Sequence, residues 1–172
     1  MLFSQDYTPV RRLYAMKKTL LPLLCLSSLL FCLTPVRAEQ TAPPKMTLTL
    51  MKTRLGVAQL PAIARIPGWS KRCDSFVSIT RTASELSIVC PQAVIPAKLK
   101  QETGYRIVRV EGQLDFALVG ILASITAPLA QAGVSIFTVS TYDTDYVMFK
   151  DDKREQALAA LRAAGHTVRI EE

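Results

Sequence analysis

The sequence predicts an α+β fold, because strand patterns and helix patterns follow one another in its second half. Apolar and polar residues alternate as in half-buried strands in four segments, residues 105–111, 134–140, 145–150 and 167–170. Two segments between them place apolar residues at helical spacing, residues 115–132 and 152–164. The resulting order, β-α-β-β-α-β, is the ferredoxin-like split arrangement.

Both predicted helices have recognisable ends. Asp115 is a candidate N-cap for the first helix, and Gly133 supplies a C-terminal stop. Pro128 lies inside this helix and predicts a kink or a tightened last turn. Asp152 and Glu155, three residues apart, form a predicted capping box for the second helix.

The first half of the chain is predicted to be rich in strands and to lack long helices. Strand patterns occur in residues 46–51, 55–60, 76–82 and 85–90. The last two of these form a predicted hairpin in which Ile79 faces Ile88, because this register puts the apolar pairs on one face. We therefore expect a strand-rich module at residues 46–101, packed against a βαββαβ module at residues 104–172.

Cys73 and Cys90 are the two cysteines beyond the N-terminal segment. In the predicted hairpin Cys90 faces Val77, and strand rise then places Cys73 roughly 13 Å away from it. A disulfide requires Cα atoms within about 7 Å of each other. We therefore expect two buried thiols rather than a bridge, and no zinc site, because no histidine lies at ligand spacing.

Residues 1–38 have the character of a leader, and a signal-peptide pattern occupies residues 16–38. A short cationic start precedes an uncharged apolar run and then Val36-Arg37-Ala38, a small-x-small cleavage pattern. Residues 39–45 form a polar, proline-containing linker. This pattern predicts a periplasmic or secreted protein.

Two alternatives to a cleaved leader stay open. The apolar run of about 18 residues is just long enough to remain as an uncleaved membrane anchor, and only in that case do we expect contact with a membrane. Alternatively, translation starts at Met46, and the protein is then cytoplasmic.

The composition argues against two other classes of protein. A hydrophobic fraction of 49% is too high for a disordered chain. The formal net charge is +7, but five of the 21 basic residues and one of the 14 acidic residues lie in residues 1–38. Residues 39–172 therefore carry a net charge of only +3, and we expect no nucleic-acid binding.

The predicted topology brings two distant segments to one rim of the sheet. In a right-handed split βαβ unit the first two strands run parallel, so residues 112–120 and 140–146 become neighbours. The first segment carries a helix N-terminus, whose free N–H groups can receive a carboxylate. The second segment brings Asp143 and Asp145, which can accept hydrogen bonds from an ammonium or guanidinium group. The combination suits a zwitterionic amino acid.

Each of these residues also has a purely structural interpretation. Asp115 suits an N-cap without a ligand, and Gly120 suits tight packing of a helix on a sheet. Asp143 and Asp145 are ordinary turn residues. Three aromatic residues suit the core or an interface better than a ligand cage: Phe116, Phe137 and Tyr146.

The sequence indicates a protein without catalytic residues. His166 is the single histidine, and we expect it to be structural or solvated. Neither Cys73 nor Cys90 has a recognisable activating partner, and no phosphate-binding loop, zinc-protease motif or nucleophile elbow is present. We therefore expect no enzyme activity, no metal and no cofactor.

Several strings of residues resemble the bacterial ACT-domain proteins related to aspartokinase regulatory domains and to the CASTOR arginine sensors. The most specific string is STYDTDY at residues 140–146. The others are VEGQLDF at 110–116, GILA at 120–123, IF at 136–137, FVSITRT at 76–82 and ELSIVC at 85–90. The resemblance covers roughly residues 46–170. Such relatives are usually cytoplasmic regulators, which favours the alternative start at Met46.

This resemblance implies two ACT-like modules, the first of them degenerate, that bind an amino acid or a similar zwitterion without catalysis. The ligand is implied to lie at the interface between modules, against the turn from first strand to helix and the end of the second strand. Carried over by position, these residues are Asp115, Phe116, Ala117, Leu118, Val119, Gly120, Ile121, Ser140, Thr141, Tyr142 and Asp143. The implied facing strand edge is Ser78, Ile79 and Thr80.

The alternative function is a protein–protein interaction or assembly module that has no small-molecule ligand. In that case exposed strand edges pair between chains. A homodimer through the ACT-like sheet edges or helices is compatible with either function.

Overall fold

A computed structural model describes residues 43–71 and 73–171. The predicted leader and most of the predicted linker lie outside these residues. The described part forms the strands β1 Thr47–Leu50, β2 Leu55–Pro61, β3 Ser78–Arg81, β4 Glu85–Pro91, β5 Lys100–Val110, β6 Ile136–Ser140, β7 Asp145–Lys150 and β8 Thr167–Ile170. Its α-helices are α1 Ile121–Gln131 and α2 Arg154–Ala163. Neither helix is long and apolar enough to cross a membrane.

The long strand β5 is the centre of an eight-stranded sheet. On one edge β5 pairs with β7, and β7 pairs with β6. On its other edge β1 and β2 lie end to end, both antiparallel to β5. The predicted α+β class and the element order β-α-β-β-α-β are confirmed. The division of the chain into two modules at residues 101–104 stays a prediction. Strand β5 crosses this position and takes part in both halves of the sheet.

The sheet order contains one strand that the simple ferredoxin-like arrangement lacks. β1 lies between β5 and β8, antiparallel to the first and parallel to the second. Leu48 and Leu50 of β1 are therefore fully enclosed in the core that the helices cover. The C-terminal module consequently uses a strand from the start of the described chain.

The two faces of the β5–β7 sheet pack against different layers. Val147 and Phe149 of β7 face α1 and α2. Met148, between them in sequence, points to the other face, because side chains alternate along a strand. There Met148 packs with Phe76 and Val89, so the N-terminal strands cover the face opposite the helices.

The N-terminal half has short 3-10 turns where the C-terminal half has helices. These turns are Gly68–Lys71 and Gln92–Val94. The predicted hairpin is present with the predicted register, because Ile79 pairs with Ile88 across β3 and β4. The strand-rich character predicted for this half is therefore confirmed.

Both predicted helix starts are wrong, while both predicted ends are present. α1 begins at Ile121 rather than after Asp115, because Gly120 before it has a left-handed backbone with φ of 85°. At α2 the residues of the predicted capping box do not cap, since Asp152 lies in a 3-10 turn, Asp151–Lys153. The glycines after both helices have positive φ, and Gly165 N–H donates to the Arg162 carbonyl at 2.9 Å.

Candidate functional site

The loop after β5 and the turn after β6 meet at one rim of the sheet. The Leu114 N–H donates to the Asp143 carbonyl at 2.8 Å. The Gln113 side-chain amide donates to an Asp143 carboxylate oxygen at 3.0 Å. The Thr144 hydroxyl is buried and donates to the Val110 carbonyl at 2.7 Å. The convergence predicted from parallel strands is therefore present in the structure.

These two segments enclose an open cleft of about 400 Å³, which is in the size range of small-molecule sites. Its lining residues are Leu114, Asp115, Phe116, Leu118, Gly120, Ile121, Leu122, Ala123, Ser140, Thr141, Tyr142, Asp143, Thr144 and Asp145. Nine of the eleven residues predicted on these two segments are among them. Ala117 and Val119 are the two that do not line the cleft.

Five lining residues were missed in the predicted site. They are Leu114, Leu122, Ala123, Thr144 and Asp145. Leu122 and Ala123 belong to the first turn of α1, and a correct helix start would have included them. Asp145, a predicted acceptor for an ammonium group, is the first residue of β7 and also lines the cleft.

The first turn of α1 lines this cleft. Gly120 is the N-cap, and no side chain of the described residues makes a capping hydrogen bond to this helix. The first intrahelical bond runs from the Ser124 N–H to the Gly120 carbonyl at 2.9 Å. The N–H groups that precede Ser124 in the helix have no intrahelical acceptor. They can therefore receive an anionic group, which the helix dipole also favours.

Gly120 is required for its backbone conformation rather than for space. A Cβ at this position would meet only the Pro44 side chain, at 3.9 Å, which is ordinary contact. Its φ of 85° lies in the left-handed region that residues with a Cβ avoid. The interpretation of Gly120 as a helix–sheet packing residue is therefore wrong.

Asp115 forms a local turn before α1. One of its carboxylate oxygens accepts a hydrogen bond from the Ala117 N–H at 2.9 Å. Its carbonyl accepts a hydrogen bond from the Leu118 N–H at 3.0 Å. This turn holds the exposed side chain of Phe116 at the mouth of the cleft.

Three carboxylates give the cleft an acidic lining. The fourteen lining residues, all within the described chain, include Asp115, Asp143 and Asp145 but neither lysine nor arginine. The Ser140 hydroxyl donates to an Asp145 carboxylate oxygen at 2.6 Å. This bond and that from Gln113 orient two of the carboxylates, and the lining as a whole favours a cationic group.

The mouth of the cleft is apolar and exposed. Phe116 and Tyr142 are each 77% exposed and meet edge to face, with ring centroids 5.2 Å apart. Leu118 and Val119 next to them are 53% and 90% exposed. Of the two structural interpretations of Phe116, the core is therefore wrong, and an interface stays a prediction. Tyr146 does lie in the core, where it packs on Phe76 at a centroid distance of 4.7 Å.

The predicted facing edge lies at a second, smaller cleft. This cleft has a volume of about 230 Å³ and is lined by Ser78, Thr80, Ser87, Val89, Phe137, Thr138, Val139 and Ser140. Ser140 is its one residue in common with the first cleft. Ile79 lines neither cleft, because alternation along β3 turns its side chain to the opposite face. The structure therefore does not bring Ser78–Thr80 into the main cleft.

His166 is buried and has a structural role. Its Nδ1 accepts a hydrogen bond from the Met46 N–H at 3.1 Å. Its Nε2 therefore carries the proton and donates to the Ser124 carbonyl at 3.0 Å. These bonds join the start of β1 to α1. Among the described residues no group of three acidic, histidine or cysteine side chains is placed to hold a metal ion.

Comparisons with known proteins agree with this architecture. A family model for the ACT domain matches residues 100–163, and a model for an N-terminal domain matches residues 53–98. No curated protein matches the sequence.

Three solved structures illustrate the range of similarity. A protein from Agobacterium tumefaciens is 36% identical over 75% of this chain and 96% of its own, with a TM-score of 0.71. A Vibrio cholerae protein of unknown function, described as a possible transport protein, is 20% identical over 70% of this chain and 90% of its own, with a TM-score of 0.56. Aspartate kinase from Clostridium acetobutylicum is 14% identical over 75% of this chain and 36% of its own, with a TM-score of 0.53.

The last two structures show a shared fold alone, whereas the first is similar in sequence over nearly its whole length. The match to the ACT-domain model agrees with the family that the strings of residues in the sequence suggested. The chain is therefore an ACT-domain protein, with its ACT domain at residues 100–163.

Proposed function

We propose that this protein is a non-catalytic regulatory module that binds a zwitterionic amino acid in the cleft between α1 and the turn after β6. One observation carries the proposal. An uncapped helix N-terminus lines the same cleft as Asp143 and Asp145, although the two segments are about 25 residues apart in sequence.

The two charged ends of an amino acid match the two sides of the cleft. Its carboxylate suits the free N–H groups of the first turn of α1, where no lysine or arginine is needed to hold it. Its ammonium group suits the carboxylates of Asp143 and Asp145, since charge-assisted hydrogen bonds are stronger than neutral ones. Phe116 and Tyr142 at the mouth are placed to cover the ligand's side chain.

A regulatory rather than a catalytic role agrees with the side chains of the described residues. Both ring nitrogens of His166 are engaged in structural hydrogen bonds. Cys73 and Cys90 lie in an apolar cluster on the outer side of the N-terminal strands, away from the residues that line the cleft. The cleft therefore contains neither a histidine nor a thiol for nucleophilic or acid–base chemistry.

The proposal is tested by measuring the thermal stability of the full chain with each of the twenty amino acids at millimolar concentration. A ligand at about 100 times its dissociation constant adds about 2.7 kcal/mol to stability, which is readily measured. Asp143→Asn should weaken binding of the stabilising amino acid by roughly tenfold or more, because a neutral amide replaces the carboxylate that attracts the ammonium group.

Asp152→Asn is a matched control for this substitution. It makes the same change of charge at an exposed position in a 3-10 turn that does not line the cleft. This variant should bind like the unaltered protein. Failure of all twenty amino acids to stabilise the chain, or equal weakening in both variants, would contradict the proposal.

A second candidate function is supported by the exposed apolar mouth. Phe116, Leu118, Val119 and Tyr142 form a patch of a kind that mediates protein association. In this alternative the chain is an assembly module without a small ligand, and a homodimer forms through this patch or through the edge strands. Sedimentation of the full chain and of Phe116→Ser distinguishes the two functions. Dissociation of an oligomer by this substitution, without any response to amino acids, favours assembly.

The location of the protein stays a proposal. The leader pattern supports export to the periplasm or the exterior, and a start at Met46 would instead leave the protein in the cytoplasm. N-terminal sequencing of the protein from its native host decides between them.

A further inference from the structure

Two cysteines that are 17 positions apart belong to one apolar cluster of the N-terminal strands. Cys90 of β4 is fully buried in an apolar cluster with Leu86 and Ile88. The partly buried Cys73 packs against the same cluster, and it is close enough to contribute to the raised pKa of the Cys90 thiol. The predicted separation of roughly 13 Å assumed an extended strand back to Cys73, which the structure does not have.

The error has a simple structural cause. The prediction continued β3 in an extended conformation back to Cys73. Instead, the chain bends at Asp74 and Ser75 and leaves the direction of the strand. Cys73 therefore lies over the outer face of the hairpin, the face on which Cys90 is buried.

Neither thiol is part of a disulfide in the structure, and each makes only a weak contact with a backbone carbonyl. The Cys73 sulfur is 3.8 Å from the Trp69 carbonyl, and the Cys90 sulfur is 3.7 Å from the Pro91 carbonyl. Burial, together with the neighbouring Cys73, raises the pKa of Cys90 to about 12. Cys90 is therefore protonated at neutral pH, and the more accessible Cys73 is the thiol that an external reagent meets first.

We propose that Cys73 and Cys90 form a reversible intramolecular disulfide, which ties the segment between β2 and β3 to β4. The reaction needs an external disulfide as oxidant. The Cys73 thiolate attacks one sulfur of that disulfide, the oxidant's S–S bond breaks, and one thiol leaves. Cys90 then attacks the Cys73 sulfur, and its proton passes to the second sulfur of the oxidant, which leaves as a thiol. The protein loses two electrons and two protons, which the oxidant gains.

The bridge can be detected by mass spectrometry of the full chain. Trypsin cleaves after Arg72, Arg81 and Lys98, which places the two cysteines in separate peptides, residues 73–81 and 82–98. Folded protein is incubated with oxidised glutathione, the remaining thiols are alkylated, and the digest is analysed without reduction. We expect one species that contains both peptides and has two hydrogen atoms fewer than their sum. Dithiothreitol should return both peptides to the free form.

A second measurement tests whether the bridge forms within the folded protein. The bridge should raise the thermal midpoint of the folded protein by roughly 5–10 °C, as expected for a closed loop of this length. Cys73→Ser keeps the loop and removes the bridge, so its midpoint should be the same with oxidised and reduced glutathione. The proposal is overturned if the folded protein yields only glutathione adducts, or if the joined peptides form only in denaturant.

Discussion

The buried hydroxyl of Thr144 stabilises the rim of the sheet at which the cleft lies. Removing this hydroxyl tests whether it supports the cleft. Thr144→Val keeps the shape of the side chain and removes the donor of the 2.7 Å hydrogen bond to the Val110 carbonyl. A buried hydrogen bond of this kind contributes about 1–2 kcal/mol to the free energy of unfolding. Because Thr144 closes the turn that presents Asp143, amino-acid binding should weaken as well.

Urea denaturation measures this loss in the free energy of unfolding, provided that the unaltered protein and the variant show the same dependence of that free energy on urea concentration. Thr138→Val on the edge strand β6 is the matched control, because Thr138 is exposed and the same atoms are exchanged. We expect a change below about 0.5 kcal/mol for the control. Equal unfolding midpoints for the two variants would refute the role assigned to Thr144.

Three further predictions concern other parts of the molecule. Gly120→Ala should lower the free energy of unfolding, measured by calorimetry, by about 1–2 kcal/mol, because φ is 85° at this position. Gly68→Ala is the control. It lies at an open position, and calorimetry should show almost no change for it. His166→Ala should cost about 2–4 kcal/mol in urea denaturation, since it leaves two buried backbone groups without partners; an unchanged midpoint would contradict the structural role of His166. The pKa of Cys90 is raised from 9.0 to about 12 in the folded state, so the unfolded thiol ionises at lower pH. The stability that Cys90 contributes is complete below about pH 9 and is lost as the pH rises toward 12. The urea midpoint of the unaltered protein should therefore fall between about pH 8 and about pH 10. The corresponding change should be smaller for Cys90→Ala.

The order of elements could be predicted because it depends on patterns that each segment carries by itself. The pairing of Ile79 with Ile88 follows from local alternation, and the structure has that register. The convergence of the two rim segments follows from the handedness of a parallel crossover, which is nearly invariant.

Other features depend on backbone angles or on distant pairing, which local patterns do not show. Asp115 has the composition of an N-cap, but the left-handed conformation of Gly120 delays the helix to Ile121. The bend before β3 takes Cys73 off the line of the strand and into the apolar cluster that contains Cys90. The position of β1 between β5 and β8 is set by pairing across more than a hundred residues, which alternation within either strand cannot indicate.

The placement of β1 has a consequence for biosynthesis. The first described strand is synthesised more than a hundred residues before β8, its parallel neighbour. Until β8 has been made, the edge of β1 that pairs with it has no hydrogen-bonding partner from that strand, so this edge of the sheet forms late relative to β1. An isolated fragment that spans only the ACT-domain match at residues 100–163 lacks both strands of that edge.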